Sequence, residues 1–211
     1  LEIICLDLEG VLLPEIWIEF SEATGIKELR LTTRDVPVYD DLMKGRLRIL
    51  KERRLGLREI QEVIATMEPL EGARAFLDRL RERYQVLILS DTYYEFAAPL
   101  IRKLGSPTLF CHTLEVADNG SIVNYRLRQP DSKREAVKAI KGLKFPVIAA
   151  GDSYNDTTML AEAHAGILFR APQNVIDEFP RFPHTRTYPE LMEQIDQSAA
   201  RLKTGSVNRS G

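Results

Sequence analysis

The 211-residue chain has little of what usually announces a function. Its two cysteines, Cys5 and Cys111, are too few and too far apart for a zinc set or a disulfide framework. Each follows or sits in an apolar stretch and reads as a reduced packing residue, which suits a cytoplasmic protein. His112, His164 and His184 fall in no ligand spacing and read as structural. No apolar run approaches the roughly 20 residues of a membrane span, and the start lacks the basic-then-apolar pattern of an export signal. Neither charge sign dominates: 29 Lys and Arg against 31 Asp and Glu leave −2 at neutral pH. No nucleic-acid or membrane partner is expected. The one tryptophan, Trp17, recurs with Ile16 and Phe20 at helical spacing and reads as core.

What the sequence does have is an apolar strand ending in polar groups, used three times. Ile3-Ile4-Cys5-Leu6 runs into Asp7-Leu8-Glu9-Gly10, Val86-Leu87-Ile88-Leu89 into Ser90-Asp91-Thr92, and Val147-Ile148-Ala149-Ala150 into Gly151-Asp152. Short runs apolar on both faces are strands of a parallel sheet. Between and after them lie helical patterns: 73–84, 94–104, 132–143, 155–165 with a stop at Gly166, 172–179 and 189–202. Further strands are expected at 167–169 and 185–188. Asp118-Asn119-Gly120 marks a hairpin turn within 109–127. Alternating strands and helices predict a doubly wound, Rossmann-like α/β core. Residues 12–72 show three helices and no strand, with Pro14 in the first turn of the first helix, and form an expected cap inserted after the first strand. Thr32-Thr33-Arg34-Asp35 and Pro37 read as loop. The core then covers 1–11 and 73–203, and the small, polar stretch 204–211 is an expected disordered tail.

Right-handed crossovers bring Asp7, Ser90 and Asp152 to one sheet edge, where ligands of such sheets bind. Gly151-Asp152-Ser153-Tyr154-Asn155-Asp156 adds Asp156 at a strand-to-helix corner. Oxygen ligands without Cys or His select Mg²⁺ over zinc, and converging carboxylates need a cation to offset their repulsion.

Asp7-Leu8-Glu9-Gly10, Ser90, Lys133 and Gly151-Asp152-Ser153-Tyr154-Asn155-Asp156 resemble, in order, the four motifs of the haloacid dehalogenase superfamily of phosphotransferases. The inserted helices resemble the cap of its phosphoserine phosphatases. The resemblance implies that Asp7 attacks phosphorus, that Glu9 serves as general acid and base, and that Ser90 and Lys133 hold the phosphoryl oxygens. It implies Mg²⁺ held by Asp7, Asp152 and the Glu9 carbonyl, with Asp156 binding through water or orienting its neighbours. By position, Glu15 reads a substrate ammonium and Arg46 a carboxylate; Asp91 and Asn155 join the substrate pocket. Two departures stand out: Glu9 where the second acid is usually Asp, and Ser90-Asp91-Thr92 where phosphoserine phosphatases usually have Ser-Gly-Gly. They suggest that the phosphoryl group passes to an alcohol such as homoserine as well as to water. The expected partner is a small phosphoamino acid; the oligomeric state is not readable. The rivals are a phosphatase for another small phosphomonoester, a dehalogenase, and a receiver-type switch, which would be shorter and carry its acceptor Asp on a middle strand.

Overall fold

The computed structural model describes residues 1–32, 35–36 and 38–207. Thr33, Arg34 and Pro37 of the expected loop lie outside them. β1 (Ile3–Leu6) runs parallel to β2 (Gln85–Tyr93) on one side and β5 (Val147–Gly151) on the other. Ile4 lies opposite both Val86 and Ile148. Beyond β2 come β3 (Thr108–Val116), parallel, and β4 (Ile122–Arg126), antiparallel. Beyond β5 come β6 (Ala165–Phe169) and β7 (His184–Thr185), both parallel. The order is β4-β3-β2-β1-β5-β6-β7.

Alternate residues of the central strands feed two apolar layers, as the period of a strand requires. Ile4 and Leu6 join Phe76 and Leu77 of α4 (Ala73–Arg81), Phe96 and Leu100 of α5 (Tyr94–Lys103), and Leu191 and Ile195 of α9 (Tyr188–Val207). Cys5 faces the other way, with Val137 of α6 (Ser132–Gly142), Met159 of α7 (Thr157–Glu162) and Val175 of α8 (Gln173–Glu178). Each such aliphatic side chain contributes about 1.5–3 kcal/mol on burial. Chain connections leave β1 and β5 toward opposite sides, so the crevice between their carboxyl ends is the topological switch point.

Between β1 and α4 lie α1 (Ile16–Thr24), a 3-10 turn at Lys27–Arg30, α2 (Tyr39–Arg53) and α3 (Leu57–Thr66). The two ends of this insert meet where Leu70 N–H donates to the Leu12 carbonyl at 3.0 Å. The β3–β4 hairpin touches it: Leu57 N–H donates to the Gly120 carbonyl (2.9 Å) and Tyr125 Oη to Asp40 Oδ1 (2.6 Å). Among the described residues no helix is long and apolar enough to cross a membrane.

Some boundaries differ from expectation. The helix expected over 155–165 is a 3-10 turn, Tyr154–Asp156, followed by the short α7, and Gly166 lies inside β6 instead of ending a helix. A Cβ on Gly166 would sit 2.6 Å from the Leu160 carbonyl oxygen, so glycine is there for close packing of strand on helix. Pro14 precedes α1, whose N-cap is Glu15. Tyr188 opens α9 instead of closing a strand, and α9 runs through 204–207; Asn208–Gly211 lie outside the described residues.

Gly166→Ala is expected to destabilise the protein by about 1–3 kcal/mol in urea unfolding, because the backbone of α7 must move. Gly142→Ala, at the end of α6 with open space around it, should be neutral or stabilising by up to about 1 kcal/mol. Equal effects from the two changes would contradict this account of Gly166.

Candidate active site

The loop after β1 is tight. Leu12 and Leu13 N–H both donate to the Leu8 carbonyl, and Gly10 N–H donates to Leu13. Gly10 has φ +77°, and a Cβ there would overlap the Asp152 carboxylate. Asp7, 5 % exposed, stands at the strand end, its N–H donating to the Ala150 carbonyl of β5 at 3.0 Å. Glu9 Oε2 accepts from Ile16 N–H at 3.0 Å, which ties the loop to the start of α1.

The second strand end is irregular. Leu89 pairs with Phe110 and Tyr93 with His112, so four steps on β2 match two on β3. This bulge turns Ser90, Asp91 and Thr92 out of the ladder and into the crevice, a common use of bulges beside sites. Ser90 Oγ accepts from Thr92 N–H at 3.2 Å.

Lys133, in the first turn of α6, is the hub. Its Nζ donates to Asp7 Oδ1 and Asp156 Oδ1, both at 2.8 Å, and lies 3.5 Å from Asp91 Oδ2. Burial alone would lower its pKa; Asp156, Asp7 and Asp91 outweigh that and hold it well above the usual lysine value. Asp156 is fully buried: Oδ2 accepts from Asp152 N–H, Ser153 N–H and Ser153 Oγ–H at 2.9–3.2 Å, which shapes the corner after β5.

Burial and the Asp156 and Asp152 charges raise Asp7 well above the ordinary carboxylate value despite Lys133. Burial, then Asp156 and Glu15, push Asp152 up to about 7. Burial, then Glu15, push Glu9 up to about 8. Asp91 is the exception: burial opposes its ionisation, but Lys133 and His112 prevail and hold it at about 2.

One carboxylate oxygen each from Asp7, Asp152 and Asp156 lies within 4.8 Å of the other two. All-oxygen donors whose mutual repulsion raises two of the three are a fit for a hard divalent cation, and the triad could bind a metal. Glu9 does not belong to this triad through its carboxylate.

A cavity of ≈ 330 Å³ opens above these groups. Asp7, Glu9, Ser90, Asp91, Lys133, Asp152 and Asn155 line it from the core, and Glu15 and Arg46 from the insert. Asp156 lies beneath it, behind Lys133 and Asp152. Sequence reasoning missed Trp17 and Tyr39 in the lining; both look like helix packing positions, and only the position of the insert over the strand ends reveals their second face. It also missed His112, read as structural: Nδ1 accepts from Arg128 N–H, and Nε2 lies 3.5 Å from Asp91 Oδ1.

A switch-point crevice holding a buried strand-end carboxylate, a lysine hub and an acidic triad defines a doubly wound α/β protein built for phosphate and metal chemistry. A family model for haloacid dehalogenase-like hydrolases matches residues 1–164, and the chain belongs to that family. It is 64 % identical over 201 residues, 95 % of this chain and 98 % of the relative, to phosphoserine phosphatase ThrH of Pseudomonas aeruginosa. It is 62 % identical over 200 residues, 95 % of this chain and 84 % of the relative, to a phosphoserine phosphatase of Pseudomonas syringae pv. tomato. A solved phosphoserine phosphatase in apo form superposes with a TM-score of 0.74 at 21 % identity, over 91 % of this chain and 98 % of that one, which bears out the doubly wound fold.

The raised carboxyls give a pH signature. Asp152 in the folded chain binds its proton up to about pH 7, against an ordinary value of 3.8. The folded state therefore holds more protons than the unfolded one across that window, and stability falls as pH rises through it. In chelator, the unfolding free energy should decline between about pH 4 and pH 7. Saturating divalent cation should flatten that slope, and Asp152→Asn should reduce it, with the raised Asp7 and Glu9 carboxyls supplying the remainder. A metal-free profile rising with pH over the window would refute the assignment.

Proposed function

We propose that this chain is a Mg²⁺-dependent phosphoserine phosphatase that also passes the phosphoryl group to homoserine. The observation that carries the reading is one cavity lined both by a strand-end carboxylate and by a buried guanidinium: Asp7 beside Lys133, and Arg46 in the insert. Relatives named phosphoserine phosphatase at 64 % and 62 % identity support it. Residues 12–72 act as the substrate-choosing cap over a core of 1–11 and 73–203, and the two buried, reduced thiols suit a cytoplasmic enzyme.

Asp7 attacks phosphorus and forms an aspartyl-phosphate as the bond to the serine oxygen breaks. Glu9, with a pKa near 8, is largely protonated at neutral pH and gives its proton to that leaving oxygen. The transition state is loose, so Ser90 and Lys133 act mainly by holding the phosphoryl oxygens and balancing their charge. Glu9, now a carboxylate, takes the proton of the incoming acceptor. Water then yields inorganic phosphate and free Asp7; the homoserine hydroxyl yields phosphohomoserine. Asp7, Asp152 and the Glu9 carbonyl, with Asp156 supporting them, would hold Mg²⁺, which would supply charge neutralisation at the phosphoryl group. Arg46 offers its fork to the substrate carboxylate and Glu15 its charge to the ammonium. Asn155 and Asp91 complete the pocket.

Two measurements test this. Phosphate release from O-phosphoserine should need Mg²⁺ and fall at least about a thousandfold in Asp7→Asn, since no nucleophile remains. Undiminished turnover in that variant overturns the mechanism. With saturating homoserine, phosphohomoserine should appear at the expense of inorganic phosphate, and inorganic phosphate alone would remove the transferase half.

A further inference from the structure

We infer that Trp17 is a positioning residue for Arg46 and, through it, sets the preference for substrates bearing a carboxylate. This rests on the functional reading above. Arg46 is 7 % exposed, and its donors are not free to follow a ligand. Nη2 donates to the Leu31 carbonyl at 2.7 Å and Nη1 to Met43 Sδ at 3.7 Å, while Nε is buried with no acceptor among the described residues. A buried donor without an acceptor is unfavourable, so the guanidinium of this cavity-lining arginine is held in place without a full set of partners.

Hydrogen bonds alone leave a flexible stem and two open faces on the guanidinium plane. Trp17 covers one face: Arg46 Cζ lies 4.4 Å from its ring centroid, well within cation–π range. The indole is itself fixed, meeting Phe20 edge-on at 6.3 Å and Phe96 edge-on at 5.5 Å. Phe96 belongs to α5, which continues directly from the β2 end carrying Ser90, Asp91 and Thr92. A chain of ring contacts thus runs from the core, through Trp17, to the cation of the insert. It fixes the distance between the phosphoryl end and the carboxylate end of the cavity. Apolar contact at Trp17 also keeps water off one face of Arg46, which strengthens any ion pair the arginine makes.

The test compares O-phosphoserine with O-phosphoethanolamine, which has the phosphate and the ammonium but no carboxylate, on each protein with Mg²⁺. Both substrates see the same folded fraction, so a partial folding defect cancels in the ratio. In Trp17→Leu, kcat/KM for phosphoserine should fall about tenfold, mostly through KM, while that for phosphoethanolamine stays within about twofold. Trp17→Phe, which keeps a ring face, should lie between wild type and Trp17→Leu. Equal losses on both substrates would make Trp17 a packing residue and overturn the inference. A wild type with no preference for phosphoserine would overturn the functional reading and this inference with it.

Discussion

Four acids meet at one end of a mostly parallel sheet with the buried Lys133 ammonium among them. Lys133 touches Asp7 and Asp156 at 2.8 Å and stands 3.5 Å from Asp91, while Asp152 shares the pocket without that contact. Buried like charges of this density are unfavourable, and Lys133 offsets only part of the repulsion. The remainder shows in the raised Asp7 and Asp152 carboxyls. The geometry around it follows. Asp156 is spent on backbone N–H groups and on Lys133, so it holds the others in place. The unmet negative charge is left where a metal and a phosphoryl group would meet it.

The two departures from the phosphoserine phosphatase pattern, Glu9 and Asp91, both line the cavity beside that cluster. Glu9 reaches one methylene further than aspartate and ties itself to the first N–H of α1, so its carboxylate is fixed to the insert as well as to the core. Asp91 adds a carboxylate where phosphoserine phosphatases usually have backbone alone, and Lys133 and His112 keep it ionised. His112 has a set tautomer: Nδ1 is occupied as an acceptor, so Nε2 carries the proton that faces Asp91. Both residues line the cavity, and Asp91 also lies against Lys133, so the added carboxylate acts on the lysine hub as well as on the open side of the pocket.

Most of the core was legible because local and global signals agree there. β1, β2 and β5 are apolar on both faces, which parallel central strands need, and each ends in the polar residues that define the crevice. The hairpin at Asp118-Asn119-Gly120 was equally plain, since Gly120 has φ +83° as that turn chemistry demands. The misread stretch was 155–165. Its composition favours helix throughout, but Asp156 is pulled into the corner by Asp152 and Ser153, and Gly166 serves strand-on-helix contact. Both causes are tertiary, and spacing along the chain does not record them. Trp17 and His112 were read as packing for the same reason. Each does pack, and each also turns one face or one nitrogen toward a site residue.

The insert is joined to the core at several separated points, and this bears on how selectivity can arise. Its ends meet at Leu12 and Leu70, the hairpin grips α2 and α3 through Tyr125–Asp40 and Gly120–Leu57, and the Tyr39 and Tyr93 hydroxyls lie 2.7 Å apart beside the cavity. A cap tethered only at its neck could tilt, and Arg46 would then meet ligands at many distances from Asp7. A cap tethered on three sides presents Arg46 at one distance. A rigid two-ended cavity rejects a ligand that lacks one end by leaving a buried donor unpaired, which discriminates more strongly than the loss of an apolar contact. On the proposed reading, substrate choice would therefore rest on how the insert is anchored to the core as much as on the identity of the arginine it carries.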